Sequence, residues 1–155
     1  MLIREGTGWT GTYDILITHK DGTQERESLT NRLTNAALNL VRDGWRGTAT
    51  DLSITRLALG TSDAPIDDAD TQLGNEQFRT AWVSQLATGT GQAQSTALVL
   101  DTEAVMNIRE IGIFATAAAT DVANTGIMIS RILWSRNKTN LESIQFVRTD
   151  AIGRG

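Results

Sequence analysis

The stretch IREIGIFATAAATDVANTGIMISRILWS, residues 108–135, decides the fold class. Thr, Val, Ile and aromatic residues crowd its two ends, Ile108 to Phe114 and Ile127 to Trp134, in short runs of the kind that build strands. Both runs carry bulky apolar side chains at odd and even positions. They are therefore either central strands covered on both sides or strands with one face buried by a neighbouring subunit. Between them Thr116 to Thr125 is small-residued, charged only at Asp121 and long for a hairpin, and such loops on a rigid scaffold commonly carry binding.

Tyr13, Ile15 and Ile17 alternate within Thr12 to Thr18, Asp21-Gly22 supplies a tight turn, and the polar return Thr23 to Glu27 fits a solvated edge strand. Leu29, Leu33, Ala37, Leu40, Val41 and Trp45 fall three and four apart, which predicts one helix over residues 29–45 capped by Ser28 or Thr30. A stripe of this kind is core, Trp45 included. Further strands are predicted at Leu52 to Leu59, Phe78 to Leu86, Ala93 to Leu100 and Glu142 to Thr149. About eight strands and one helix imply a mainly β protein, an antiparallel β-sandwich or barrel-like domain over residues 11–150. Residues 1–10 read as an N-terminal arm and 151–155 as a C-terminal tail, both with isolated apolar residues that are expected to order on neighbouring molecules.

The chain has 155 residues, 14 Lys plus Arg against 18 Asp plus Glu, no Cys and one His. Without Cys, and with only His19 to offer imidazole, no zinc ribbon, thiol nucleophile or multi-histidine metal centre can be built. The acidic balance argues against a duplex-binding role, and no run approaches the ~20 apolar residues of a membrane span. The N-terminus lacks an apolar core of signal-peptide length, which points to a cytosolic product or one released by lysis. Twelve of the basic residues are Arg, a bias that favours fixed ion pairs and interfaces.

Reactive chemistry finds little support. His19 sits beside a solvated turn with no Gly-x-Ser-x-Gly elbow, and no phosphate-cradling glycine motif occurs. Asp63, Asp67, Asp68 and Asp70 lack the ligand spacing and glycine of a helix-loop-helix calcium loop, and Asp70 reads better as the N-cap of a short helical turn. Calcium remains a secondary reading of that loop. Glu76 with Arg79 reads as a surface ion pair. No catalytic, cofactor or metal residues are assigned.

Four pieces then follow in order: ITRLALGTSDAP with Leu59, Gly60, Thr61 and Pro65; DTQLGNEQFR with Asp70, Thr71, Leu73, Glu76 and Arg79; MNIREIGIF with Ile108, Glu110, Ile111, Gly112 and Phe114; and the closing SRILWSRNKTNLESIQFVRTD. This order resembles a family of tailed-bacteriophage structural proteins related to the N-terminal parts of tail fibres and to small baseplate-associated, collar-type proteins. In those motifs Asp70 caps, Leu73 anchors a turn, Glu76 and Arg79 orient it, and Gly112 admits a close approach to the sheet. The resemblance implies a non-enzymatic virion protein of tail-fibre, baseplate or adaptor type, assembled in the host cytoplasm. It would dock on other virion proteins as a homo-oligomer, a trimer, with no nucleic acid, membrane or cofactor.

A phage fibre continues into a shaft and receptor-binding tip, whereas this sequence stops at Gly155, which favours a small adaptor or surface-bound component. The alternatives are a capsid decoration (cement) protein bound to the major capsid protein, and a host-glycan-binding module that stacks Trp rings on sugars. Candidate interface anchors are Trp9, Trp82, Arg131, Trp134 and Arg136.

Overall fold

The computed structural model describes residues 8–154. Nine strands and one helix follow in the order β1 (Gly8–His19), β2 (Gln24–Thr30), α1 (Asn35–Trp45), β3 (Ile54–Gly60), β4 (Glu76–Ala81), β5 (Ser84–Gly89), β6 (Gln92–Val99), β7 (Asn107–Ala115), β8 (Ile127–Asn137) and β9 (Glu142–Gly153). They form two antiparallel sheets, β2-β1-β9-β6-β5 and β4-β3-β7-β8, packed as a sandwich and not closed into a barrel.

Alternation along the strands explains the core. Tyr13, Ile15 and Ile17 of β1 and Ile144 and Phe146 of β9 point inward against Leu57, Leu59, Ile111, Ile113 and Trp134 of the second sheet. Burying each such aliphatic side chain stabilises the fold by ~1.5–3 kcal/mol before chain entropy is counted. β7 is covered on both faces, and the second cover comes from the chain itself. Ala58, Leu73, Phe114, Ala119 and Met128 form a smaller cluster on the outer side of the sheet, roofed by the loops at 61–75 and 116–126.

Four expectations are corrected. The helix begins at Asn35, because Leu29 and Thr30 continue β2 opposite Tyr13 and Thr12; its cap is Thr34, whose hydroxyl accepts from the Ala37 amide at 3.1 Å. Trp45 is 84% exposed: of the helix stripe only Ala37 and Leu40 are buried, and Trp45 stands at the edge of an open cleft. The run Phe78 to Leu86 is two strands, with Trp82-Val83 carrying the chain from one sheet to the other. Finally, the proposed arm and tail are paired strand within the described residues: Gly8, Trp9 and Thr10 lie opposite Gly153, Ile152 and Ala151. The rest of the arm, residues 1–7, and Gly155 lie outside the described residues.

The β1–β2 turn is looser than the tight two-residue turn expected at Asp21-Gly22. Only Gly22 takes a positive φ there, at +89°, while the Asp21 carboxylate accepts from the Thr23 amide and hydroxyl at 2.9 and 2.6 Å. This is a longer hairpin loop closed by a left-handed glycine.

A candidate assembly surface and the motif cluster beneath it

Residues from all four of the quoted stretches meet around one carboxylate. Glu110 of β7 is fully buried, and each of its oxygens accepts from two donors. Oε1 takes the amides of Ser62 (3.3 Å) and Asn75 (2.8 Å), while Oε2 takes the Gly74 amide (2.9 Å) and Arg131 Nε (2.8 Å). Arg131, on the neighbouring β8, spends its other nitrogens on Asp70 Oδ2 (3.1 Å) and the carbonyls of Ala64 (3.0 Å) and Pro65 (3.3 Å). One ion pair thus pins the whole 61–75 loop to the sheet. The glycines of the motifs make room for it. A Cβ on Gly60 would collide with the Glu110 carboxylate and the Asn75 carbonyl, and one on Gly112 would lie 2.8 Å from the Leu73 side chain that covers it.

Asp70 is not a helix cap. No helix forms there, and its carboxylate accepts from the Asp67 amide and from Arg131 instead. Glu76 and Arg79 form no surface pair either: their side chains are buried, joined by two bonds of 2.9 Å. The Arg79 guanidinium lies 4.2 Å above the Phe114 ring centroid and donates to the carbonyls of Thr120 and Thr125. Desolvated Arg pairs with carbonyls and an aromatic face are strong contacts, so this one fastens the 116–126 loop.

Two of the candidate interface residues are interior. Arg131 is only 2% exposed and serves the node just described, and Trp134 is buried against Phe146 with its indole N–H on Glu27 at 2.6 Å. Neither projects to meet a partner. Arg136 is half-buried and committed to Glu25 and Glu142, tying the β2 edge to β8 and β9. Those bonds hold the Glu25 carboxyl below its usual range; for Glu142, burial pushes the other way, but the Arg136 and Thr139 bonds outweigh it. His19, Glu25 and Glu142 are the one metal-type grouping among the described residues, and a cation there would have to displace the Arg136 guanidinium. In the acidic loop Asp68 is engaged by Arg32 at 2.7 Å and Asp70 by Arg131, which weakens the calcium reading.

Trp9 and Trp82 remain half-exposed. Trp9 donates to Asp150 at 2.8 Å and lines an open cleft of about 640 Å³ at one end of the sandwich. Leu40, Trp45, Leu52, Ile54 and Ile152 contribute the other apolar walls. Exposed large side chains gather at its rim, Trp45 foremost, with Leu52 and Ile152. Ala87 and Gly89 of β5 border the same cleft, and with them begins a second unusual feature. From Thr80 to Leu100 the chain carries 21 consecutive uncharged residues, against 21% charged overall, and they build the β4–β5 crossing and the β5–β6 hairpin. Val83, Leu86 and Leu98 of this run are exposed. Contiguous exposed apolar surface is what soluble monomers rarely keep, and it marks interaction sites. The uncharged run was open to counting in the sequence; the exposure of Trp45 was not.

Comparison with family models, with curated protein sequences and with solved structures returned no match. No helix among the described residues is long and apolar enough to cross a membrane.

Proposed function

We propose that this chain is a non-enzymatic structural protein of a tailed-phage virion, of the tail-fibre, baseplate or adaptor type, which docks on copies of itself and on other virion proteins. The observation that carries the reading is the apolar cleft with Trp45 at its rim, continuous with an uncharged sheet edge. Support also comes from the way the motif carboxylates are used: Glu76 and Glu110 are saturated by internal donors, which suits a scaffold and leaves neither free as a general acid or base. The motif order provides the virion context.

Imaging particles assembled without this protein tests the reading. Missing density at the tail or baseplate is expected. Loss of knobs from the capsid surface would transfer the protein to the decoration class, and particles of unchanged composition and shape would refute a virion role.

A further inference from the structure

Resting on that assembly reading, we infer that β5 is a strand-addition site whose occupant is β5 of a second copy, so that two five-stranded sheets join across a two-fold axis. β5 is the last strand of its sheet. Among the described residues it pairs only with β6, and Gln85 through Gly89 are exposed. An edge strand offers a row of unpaired amides and carbonyls, and proteins that stay monomeric guard such rows with charge, proline or a covering segment. The opposite edge of the same sheet is guarded: β2 carries Glu25, Arg26 and Glu27. At the β8 edge of the second sheet, Leu33 and Thr34 pair with Ser130 and Ile129. Among the described residues β5, with the sequence SQLATG, has none of these protections.

The charge pattern selects a second copy as the partner. A two-fold contact places a surface against itself, so every charged group on it meets its own like. Two chains of net charge −4 repel, and they can approach only where the field is weakest. The uncharged Thr80 to Leu100 run provides such a region, and β5 is its outer strand. Alternation supplies the side-chain contacts. Leu86, opposite Gln94, projects from the outer face of the sheet, where it is exposed, whereas Ala87, opposite Ala93, faces the cleft. In an antiparallel pair the two Leu86 side chains share the outer face, while main-chain bonds run between the strands. Such a two-fold pair differs from the threefold arrangement expected from the sequence, and the oligomer size separates the two.

The test uses the full chain in a dilution series by light scattering, with residue-resolved amide hydrogen exchange. The wild type is expected to form dimers, with β5 amides on both sides of the strand protected. Leu86→Lys, at an exposed position, should keep the circular dichroism spectrum and raise the dimer dissociation constant by at least about tenfold, because it sets two ammonium groups on one face of the pair. A trimer unaffected by Leu86→Lys would overturn the pairing and leave the assembly reading standing. So would a monomer that still binds virion particles, or an oligomer in which alternate β5 amides exchange freely. If Leu86→Lys fails to fold, the exchange pattern of the wild type decides. A monomer that also fails to bind particles would overturn both.

Discussion

Replacing Arg131 with Met is expected to lower the unfolding free energy by about 3–5 kcal/mol, the usual cost of stranding one member of a buried ion pair. Glu110 has no exposed surface, so the carboxylate left behind can find no water to replace the guanidinium. Its three remaining amide donors soften the loss without removing it. Glu110→Gln is no remedy. Each carboxylate oxygen faces two donors, and whichever position receives the amide nitrogen then sets N–H against N–H. Chemical denaturation of both single variants and the double variant measures the coupling. A double variant less destabilised than the sum of the singles supports the node, and a loss below about 1 kcal/mol for Arg131→Met would reduce it to the standing of a surface pair.

Arg148→Met is the second large effect, again about 3–5 kcal/mol. Arg148 lies wholly inside the sandwich, where Nε and Nη2 hold Asp150 at 3.0 and 2.8 Å and Nη1 donates to the Tyr13 hydroxyl at 2.7 Å and to Asn31 at 2.9 Å. Tyr13 in turn meets Ser130 of the opposite sheet at 2.9 Å, so the network spans the two layers. Burial pushes the Tyr13 phenol above its ordinary value of 10.0, which keeps it neutral through the physiological range. Methionine fills much of the volume, but Asp150 keeps only the Trp9 N–H as a side-chain donor. Thermal and urea unfolding followed by tryptophan fluorescence should show a lowered midpoint with cooperativity preserved. An unchanged midpoint would mean that hydrophobic packing alone sets the layer spacing.

The β class was legible because alternation is local. Tyr13, Ile15 and Ile17 announce their strand without any knowledge of the partner. What alternation records is the side on which a residue lies, not the sheet to which it belongs, so the crossing at Trp82-Val83 was invisible inside Phe78 to Leu86. The helix start was lost to tertiary pairing: Leu29 and Leu33 satisfy a helical spacing, yet Leu29 is held in strand by Tyr13 across the ladder. Trp45 shows the complementary limit, since a stripe tells which face turns inward but not how much of that face is covered. The Glu110 node escaped for a different reason. Three of its four donors are backbone amides, which leave no mark in side-chain identity, although Glu110, Gly112, Leu73 and Asp70 were already singled out. The expected interface anchors Arg131 and Trp134 fell inside because both side chains combine a polar end with a large apolar or planar body that a sandwich can bury.

In the proposed role the exterior of this protein, and the Trp45 cleft above all, grips other components of a particle. Co-sedimentation of the purified chain with particles assembled without it tests this most directly. Saturable, stoichiometric retention is predicted, with Trp45→Ala binding at least about tenfold more weakly, as befits an exposed aromatic anchor. A wild-type chain that stays in the supernatant at every concentration, or that binds no better than Trp45→Ala, would contradict it.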